Sequence, residues 1–398
     1  MKKLARQQVF RDPLYGYIHV DYVIIKKLIN SFCFQRLRRI KQLSGVYMVF
    51  HCAEHSRFQH SLGVYEVANR FLSVPELKSE LNEREQLLFL SAALLHDIGH
   101  GAYSHAFEDV FLVNHEKIGA SIIVKNEEIR SILDEVDKNF ASDVSSVIAK
   151  DGKFPLIETL ISSQLDVDRL DYLARDAYYT GTTYGRIDFE RIVRVLRIKD
   201  SKVVFKSSGI HAIENYLISR YHMYWQVYYH PTARAYEVVL EKIYQRIRDL
   251  INENYQFNEN IEYLKNIMED PTDITSYLEI DDNYINSLIA RFTKTKDEVL
   301  RNLSIDFLNR HIWEYLDDNE ENKEQIAKIK NKLSKYYYSS RTVEQNTYKV
   351  DGKKFGLEID ILLENGDIQT LTEFSSVINS LATGGFKKDP KFFYKNEK

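Results

Sequence analysis

Glycine and proline are scarce in this chain of 398 residues, which contains 15 glycines and 6 prolines. Between Arg186 and Val350 we find one glycine, Gly209, and two prolines, Pro231 and Pro271. A stretch so poor in turn-forming residues is difficult to build from short strands. We therefore expect a mainly α-helical protein.

Cysteine, net charge and long apolar runs are also limited. Cys33 and Cys52 allow at most one disulfide and lie outside any CxxC pair, a pattern typical of the reducing cytoplasm. A net charge of −4 produces no global field that would attract nucleic acid or an anionic membrane. No apolar run approaches the ~20 residues of a membrane span, and no apolar segment of a signal peptide follows the basic start. We expect a cytoplasmic protein without a membrane or nucleic-acid partner.

The length suggests two or three packed units, because domains average roughly 150 residues. The apolar run Leu87 to Leu95 surrounds a helix almost completely, which predicts a buried central helix ending near Gly99 and Gly101. We expect a large helical domain over residues 1–250, a charged helical segment over 251–340, and a small α+β region over 341–398.

Turn and cap signals define the last region. Asp351-Gly352 and Asn365-Gly366 predict hairpin turns between alternating apolar residues. Thr370 and Glu373 predict a capping box that opens a helix through Leu381. The terminal run FKKDPKFFYKNEK, rich in lysine and aromatic residues, is predicted to be a frayed tail.

Histidines are crowded into one part of the chain. Seven of the twelve lie between residues 51 and 115, namely His51, His55, His60, His96, His100, His105 and His115. The His96-Asp97 pair directly follows the apolar run, where an imidazole and a carboxylate would be buried at a large desolvation cost unless a cation offset it. A divalent metal is the simplest such cation, since neutral imidazole and carboxylate are its natural ligands.

Further ligands must come from other helices. His60 opens the predicted helix HSLGVYEVANRF, and Asp168 lies in the acid-rich predicted helix DVDRLDYLARD. Metal sites in helical bundles are built in this way, from inward His and acidic side chains of separate helices. Asp166, Asp171 and Asp176 compete with Asp168 for the last position, and spacing does not choose among them.

Four ordered blocks carry a family resemblance: RFQHSLGV, LLHDIGHGAYSH, NHE and DVDRLDYLARD. They resemble the HD-domain phosphohydrolases, most closely the deoxynucleoside triphosphate (dNTP) triphosphohydrolases, over residues 11 to about 236. The resemblance implies an HD-domain helical bundle with a helical extension and a small α+β C-terminal appendage. It also implies His60, His96, Asp97 and Asp168 as the ligands of Mg²⁺, Mn²⁺ or Fe²⁺.

The resemblance also suggests catalytic roles for several residues near the metal set. His100 lies four residues after His96 and can reach a substrate phosphate. His105 and His115 resemble the residues that assist attack and protonate the leaving group, with Glu116 orienting His115. Imidazole suits this work because its pKa lies near the operating pH. Glu108 stands where relatives carry an aspartate.

Substrate contacts are assigned by position and by resemblance. Three arginines are candidates to bind phosphates through their guanidinium forks. Arg57 lies three residues before His60, Arg169 directly follows Asp168, and Arg220 precedes Tyr228 by eight residues beside an aromatic run. By resemblance, Gln42 and Asp176 hold the sugar 3′-hydroxyl and Tyr172 packs on the sugar. Tyr228 closes the space that a 2′-hydroxyl would need, which would exclude ribonucleotides.

The implied reaction is hydrolysis of a dNTP to deoxynucleoside and inorganic triphosphate. Members of the family that resemble this chain form homotetramers activated by nucleotides, and Gln35 and Arg38 match the activator-binding pattern. Asn30 stands where some relatives carry an aspartate that reads guanine, so the activator is not assigned. Two alternatives remain open: an HD phosphohydrolase acting on another nucleotide phosphate ester, or a non-catalytic nucleotide sensor.

Overall fold

The computed structural model describes residues 1–345, 348, 358–385 and 387–396, except for the side chain of His105. The fold is mainly helical, as predicted. The helices are α1 (Val23–Asn30), α2 (Phe32–Arg36), α3 (Arg57–Phe71), α4 (Pro75–Glu80), α5 (Glu83–Leu95), α6 (His105–Phe111), α7 (His115–Lys125), α8 (Glu127–Asp134), α9 (Phe140–Ala149), α10 (Pro155–Ile161), α11 (Val167–Thr180), α12 (Phe189–Val195), α13 (Ile210–Met223), α14 (Pro231–Asn252), α15 (Glu262–Glu269), α16 (Ile274–Glu279), α17 (Asp282–Phe292), α18 (Glu298–Leu308), α19 (Lys323–Lys332), α20 (Leu371–Phe374) and α21 (Ser376–Thr383).

Strands are short and form three sheets. They are β1 (Lys3–Asp12), β2 (Gly16–Tyr22), β3 (Leu196–Lys199), β4 (Lys202–Lys206), β5 (Glu314–Asp317), β6 (Tyr338–Gln345), β7 (Asp360–Leu362), β8 (Ile368–Thr370) and β9 (Lys387–Tyr394). The first sheet is the hairpin β1-β2, the second has the order β3-β4-β7-β8, and the third has the order β5-β9-β6.

The buried helix α5 lies at the centre of the bundle, as its apolar run predicts. Asn82 caps it by accepting hydrogen bonds from the Arg84 and Glu85 backbone N–H groups. Every residue from Leu87 to Leu95 is buried. Helix α3 packs against both α5 and α11. At Gly63 of α3 an added Cβ would lie 1.9 Å from Asp171 Oδ1, so α3 and α11 need this glycine in order to approach each other.

The loop after α5 turns sharply to bring its histidines next to α7. A Cβ added at Gly99 would lie 2.1 Å from the His115 carbonyl oxygen, so the loop passes the start of α7 at backbone contact. Tyr103 and Ser104 both have positive φ, 54° and 48°, which residues with side chains rarely adopt. Asp282 accepts a hydrogen bond from the Tyr103 backbone N–H at 2.9 Å and helps to hold this conformation.

The prediction that residues 186–350 contain long helices rather than short strands is wrong where the chain forms a β-hairpin. Strands β3 and β4 pair in antiparallel register, with Lys199 opposite Lys202. The two turn residues Asp200 and Ser201 have φ of 51° and 55°, the left-handed conformation that a two-residue hairpin requires. Because a small polar residue can replace glycine there, the scarcity of glycine did not exclude strands.

The C-terminal signals are partly confirmed. Asn365 and Gly366 connect β7 to β8, with Gly366 at φ 90°, and Asp351-Gly352 lies outside the described residues. The capping box of Thr370 and Glu373 is present, but the predicted helix divides at Ser375 into α20 and α21. Strand β7 also pairs in parallel with β4. The last region therefore shares a sheet with the first 250 residues, and the boundaries at 250 and 340 remain proposals.

The prediction of a frayed C-terminal tail is wrong. Residues 387–394 form β9, the central strand of its sheet, which pairs with β5 on one side and β6 on the other. Phe392 and Phe393 are fully buried. Asp389 accepts a hydrogen bond from Arg234 Nη1 of α14 at 2.8 Å. Burial of two phenyl rings against the body of the protein outweighs the polarity of the neighbouring lysines.

Candidate metal centre and active site

Four side chains from three helical segments converge in the bundle core. His60 Nε2 of α3 lies 3.2 Å from His96 Nε2 and 3.0 Å from Asp168 Oδ1 of α11. His96 Nε2 is also 3.3 Å from Asp97 Oδ1. His60 and Asp97 are buried, whereas the Asp168 side chain is 34% exposed. His60, His96 and Asp97 offer ligand atoms close enough together to hold one divalent metal ion, and Asp168 lies next to both imidazoles.

The geometry also separates the four aspartates that spacing could not. Asp166 caps α11 by accepting from the Arg169 backbone N–H at 2.6 Å. Asp171 lies 2.8 Å from His60 Nδ1, on the side of the ring away from the other donors. Asp176 contacts His55 Nε2 at 2.8 Å. Asp168 alone among them lies next to Nε2 of both His60 and His96.

The electrostatics of the donor set favour a cation. Burial opposes charge on the His60 imidazole, yet hydrogen bonds to Asp168 and Asp171 raise its pKa to about 10. Burial likewise opposes ionisation of Asp168, but hydrogen bonds from His60 and His96 hold its pKa well below its usual range. The aspartates are thus ionised and attract a proton onto the imidazoles. A divalent ion at the same point competes with that proton for the same nitrogens.

Arg57 contacts the edge of this donor set. Its Nη1 lies 2.5 Å from Asp97 Oδ2, and its Nη2 donates to Ser104 Oγ at 2.7 Å. Arg57 is 5% exposed, so the guanidinium is fixed by two partners in a buried site. This orientation places a cation beside the metal donors, where an anionic substrate group would be bound.

A second cluster contains two stacked histidines and a shared carboxylate. The rings of His100 and His115 stack with centroids 3.9 Å apart. Glu108 Oε1 lies 3.2 Å from His100 Nδ1, and Glu108 Oε2 lies 2.9 Å from His115 Nδ1. His100 Nε2 is in turn 3.2 Å from Asp97 Oδ1, which joins this cluster to the metal donors.

The prediction that Glu116 orients His115 is wrong. Glu116 accepts from Lys150 Nζ at 2.7 Å, and its side chain is 43% exposed. Consecutive helical residues point ~100° apart, so Glu116 faces solvent while His115 faces the core. Glu108 of α6 takes the orienting position instead. His105 begins α6, but its side chain lies outside the described part of the structure.

Comparison with protein families decides what kind of protein carries this site. Residues 57–176 match the HD domain, and residues 187–388 match the HD associated region. The chain belongs to the HD-domain phosphohydrolase family. It is therefore a hydrolase of a family whose HD domains depend on metal, and the resemblance noted in the sequence is confirmed.

Relatives of this HD phosphohydrolase cover between 78% and 98% of the chain. An uncharacterized protein, YwfO, from Bacillus subtilis is 41% identical over 98% of this chain and 93% of its own. A deoxynucleoside triphosphate triphosphohydrolase SAMHD1 homolog from Dictyostelium discoideum is 29% identical, covering 78% of this chain and 60% of its own. The crystal structure of a phosphohydrolase from Bacteroides thetaiotaomicron superposes with a TM-score of 0.85 at 29% identity, covering 98% of this chain and 100% of that one.

His60, Asp97 and Asp168 line a cavity of about 550 Å³, here called the central cavity. Its lining consists of Gln42, Leu43, Ser44, Val46, Arg57, His60, Asp97, His100, Ser104, His115, Asp168, Tyr172, Asp176, Tyr224, Tyr228, Tyr229, Arg234, Glu237 and Val343. The structure thus brings most of the predicted substrate-contacting side chains to one space.

Two predicted phosphate-binding arginines do not line the central cavity. Arg169 Nε pairs with Asp166 Oδ2 at 3.1 Å, and Arg220 Nη1 donates to Gln164 Oε1 at 3.1 Å. Arg57 is the predicted arginine that lines it. The roles of Arg169 and Arg220 remain proposals that require their side chains to turn toward the substrate.

A widened helical turn shapes the tyrosine wall of the cavity. Residues Tyr224–Tyr228 continue α13 as a π-helix, a geometry that is frequent at functional sites. The turn presents Tyr228, whose hydroxyl donates to Asp176 Oδ2 at 2.7 Å, and its ring meets that of Tyr172 edge-on at 6.2 Å. Asp176 and the two tyrosines therefore form one hydrogen-bonded and packed wall.

The predicted activator residues lie on another face. Gln35 Nε2 donates to the Ile29 carbonyl at 2.7 Å, and Arg38 stacks on the Phe58 ring at 3.5 Å. Between them in sequence, Arg36 is fully buried and donates to the carbonyls of His100 at 2.8 Å and Ile280 at 2.6 Å. Reasoning from the sequence missed this function of Arg36, because no local pattern marks a buried arginine that binds backbone carbonyls.

For other residues at the site, the sequence did not indicate the position that the structure shows. Asp171 follows Asp168 by three residues on one helix face, a spacing that was visible but ambiguous. Ser104 stood inside the motif LLHDIGHGAYSH without a recognisable task. Glu237 and Val343 reach the cavity through tertiary packing, and no sequence signal marks them. Among the described residues, no helix is both long and apolar enough to cross a lipid bilayer.

Proposed function

We propose that this HD phosphohydrolase is a dNTP triphosphohydrolase that releases deoxynucleoside and inorganic triphosphate. The observation that carries the proposal is the continuity of the central cavity, in which the metal donors adjoin the wall formed by Asp176, Tyr172 and Tyr228. Phosphates at the donors would place a sugar against this wall. Tyr228 and Asp176 are already joined at 2.7 Å, which leaves little room for a 2′-hydroxyl between them.

The donor set would hold Mg²⁺, Mn²⁺ or Fe²⁺ through His60, His96, Asp97 and Asp168. Such an ion supplies Lewis acidity at the α-phosphate and lowers the pKa of attacking water. Arg57, fixed by Asp97 and Ser104, would bind phosphate oxygens beside it. Water would add to the α-phosphorus and lose a proton to a base, for which His105 is the candidate. The bond between the α-phosphorus and the sugar 5′-oxygen would break, so that the deoxynucleoside departs and the three phosphates remain together as triphosphate.

The two stacked histidines would have different tasks. Burial and the nearby Arg57 lower the pKa of His100 to about 4, so this imidazole is neutral and has one N–H, which would turn from a neighbouring carboxylate to a bound phosphate. Glu108 holds His115 through Nδ1, which turns Nε2 away from the carboxylate. His115 can then protonate the departing 5′-oxygen, with His105 as a further candidate for assisting attack.

We further propose that nucleotide binding at Gln35 and Arg38 activates a cytoplasmic homotetramer. Arg36 supports this part, because it lies between the two residues and donates to the His100 carbonyl. A ligand that shifts α2 would shift the loop that carries His100. The cytoplasmic assignment is supported by Cys33 and Cys52, both of which are free.

Product analysis tests the reaction. Purified protein is incubated with each dNTP and each ribonucleotide, with Mn²⁺ or Mg²⁺, alone and with a second nucleotide as activator. Release of triphosphate from dNTPs supports the proposal. Release of orthophosphate or pyrophosphate favours another phosphate ester as substrate, and nucleotide binding without any hydrolysis favours a sensor.

Sedimentation tests the assembly. The sedimentation coefficient is measured with and without the activating nucleotide, for the native protein and for Arg38→Ala. The proposal predicts a tetramer that the nucleotide promotes and that Arg38→Ala weakens. An unchanged monomer under activating conditions would exclude the tetramer as the active form.

A further inference from the structure

One carboxylate in the central cavity takes no part in the mechanism above. Glu237 lies on α14 and lines the cavity together with Tyr229, Arg234 and Val343. Among the described residues, the Glu237 side chain has no hydrogen-bonded or ion-paired partner. One turn later on the same helix, Glu241 accepts a hydrogen bond from Gln245 Nε2 at 2.7 Å and forms an ion pair with Arg341. Glu237 is therefore available to a ligand in a way that its neighbour is not.

Arg234, the cationic side chain next to Glu237, already has other partners. Arg234 Nη1 pairs with Asp389 Oδ2 at 2.8 Å, and its Nη2 donates to the Arg341 carbonyl at 2.9 Å. Burial raises the pKa of Glu237 to about 7, with Arg234 opposing the rise and Glu241 adding to it. A half-buried carboxylate without a side-chain partner is stabilised by any ligand that brings hydrogen-bond donors to it.

The position of Glu237 in the cavity indicates which part of a nucleotide it meets. Its wall consists of α14, the turn Ser44–Met48 and Val343 of β6, and none of these supplies a metal donor. Gly45 keeps this wall compact, since an added Cβ would lie 2.5 Å from the Tyr236 ring and 3.6 Å from Glu237 Cγ. With phosphates at the donors and the sugar at Asp176, the base is the part that remains to fill this end.

We propose that Glu237 is a specificity-determining residue that recognises the base of the substrate and favours guanine. This inference rests on the proposed dNTP substrate. Two donors bound to Glu237 would favour its ionised form despite the raised pKa, and an ionised carboxylate offers two acceptor oxygens side by side and no donor. The guanine edge presents two adjacent donors, N1–H and the N2 amino group, so the match is bidentate and charge-assisted. Adenine and cytosine present a donor beside an acceptor, and thymine presents one donor between two acceptors.

The test is the dependence of base preference on Glu237→Gln. An amide offers one acceptor and one donor, which suits adenine and opposes one guanine N–H. We expect the ratio of kcat/KM for dGTP to that for dATP to exceed one in the native protein and to fall about tenfold or more in the variant. One fixed activator is used throughout. Glu241→Gln on the same helix is the matched control and should leave the ratio unchanged.

Binding measured in parallel separates the two levels of the argument. Affinities for dGTP and dATP are determined by calorimetry for the three proteins, each checked by circular dichroism for native folding. Hydrolysis with the same base ratio in Glu237→Gln and the native protein overturns the inference and leaves the proposed function intact. Absence of dNTP hydrolysis, with a guanine preference in binding that Glu237→Gln abolishes, overturns the proposed reaction and supports the recognition role.

Discussion

His60 and Asp171 lie 2.8 Å apart, from ring Nδ1 to carboxylate Oδ2, on the side of the imidazole opposite the metal donors. An ionised carboxylate at Nδ1 fixes the proton there and leaves Nε2 as the ligand atom. Asp171 is itself held by Arg175, whose Nε and Nη2 each donate to it at 2.9 Å. Arg175 also reaches Asp12 at 2.9 Å. The orientation of His60, a proposed metal ligand, thus depends on a chain of buried charges.

We predict that Asp171→Asn weakens metal binding by about 10- to 100-fold, because an amide no longer holds the His60 proton on Nδ1 as the carboxylate does. Metal affinity is measured by competition with a chelator. Asp12→Asn is the control, since it removes the other partner of Arg175 without touching His60. An equal loss of affinity in both variants would show that Arg175 packing, rather than the His60 contact, is responsible.

Removing a donor from the metal set should abolish catalysis more completely than it affects folding. We expect His96→Ala and Asp168→Asn to lower kcat by about a thousandfold or more, since the ion contributes several kcal/mol to transition-state stabilisation. Bound metal is quantified by mass spectrometry of the purified proteins. The control variant is His51→Ala, because His51 is an exposed histidine outside the donor set. Full metal content with full activity in Asp168→Asn would contradict the assignment.

The position of the loop that carries His100 should depend on the hydroxyl group of Tyr277, which lies outside the central cavity. Tyr277 donates from its hydroxyl to the Gly99 carbonyl at 2.7 Å, beside the Arg36 contact to His100. We expect Tyr277→Phe to lower kcat several-fold with little change in KM and to lower the free energy of unfolding by about 1 kcal/mol. Tyr284→Phe, which removes a similar bond to the Asn260 carbonyl, is the control. A change in KM alone would speak against a positioning role.

Discrimination between sugars should depend on Tyr228. We expect Tyr228→Ala to raise the rate of ribonucleotide hydrolysis relative to dNTP hydrolysis by about tenfold or more, because the space beside Asp176 is opened. Rates are compared by triphosphate release. Tyr224→Ala, which alters the same cavity without a bond to Asp176, should preserve the preference. A preference that survives in Tyr228→Ala would place the discrimination elsewhere.

Asp282 should give stability a pH dependence of unusual sign. Burial raises the pKa of Asp282 to about 6, although the backbone N–H groups of Lys41 and Tyr103 oppose the rise. The folded protein then binds a proton that the unfolded chain releases between about pH 6 and pH 4. From this group alone, the free energy of unfolding increases as the pH falls through that window.

The measurement compares urea unfolding of the native protein and Asp282→Asn across pH 4 to 7. The variant loses one acceptor for a backbone N–H, so its absolute stability is expected to fall. The informative quantity is the difference in the free energy of unfolding between the native protein and the variant. This difference should become smaller as the pH rises from 4 to 6. Profiles that remain parallel would show that Asp282 titrates normally.

Local patterns predicted the parts of this protein that depend on neighbouring residues. The apolar run Leu87 to Leu95 followed by His96-Asp97 is a local signal for a buried helix ending in polar ligands. Contacts between distant segments were harder. Glu116 was chosen because it adjoins His115 in sequence, but the direction of a helical side chain changes by ~100° per residue. Glu108 reaches His115 through the turn at Leu112, whose φ of 56° no pattern announced.

The charge of a side chain also did not predict whether its segment lies at the surface or in the interior of the protein. Arg36 is buried among backbone carbonyls, and the lysine-rich terminal run forms a central strand. In both cases tertiary packing supplied partners that composition does not reveal. The turn at Asp200 and Ser201 shows the same limit for glycine counts, because two polar residues adopt the conformation that glycine would take more readily.

Asp389 on strand β9 pairs with Arg234 in the wall beside Glu237, although the two residues lie far apart in the sequence. The helices that supply His60, His96 and Asp168 leave the ribosome more than 200 residues earlier. A nascent polypeptide can therefore assemble its ion-binding core long before the far wall is in place. A polypeptide synthesised only as far as those helices would lack that wall, and the proposed selectivity for the base would require β9 as well.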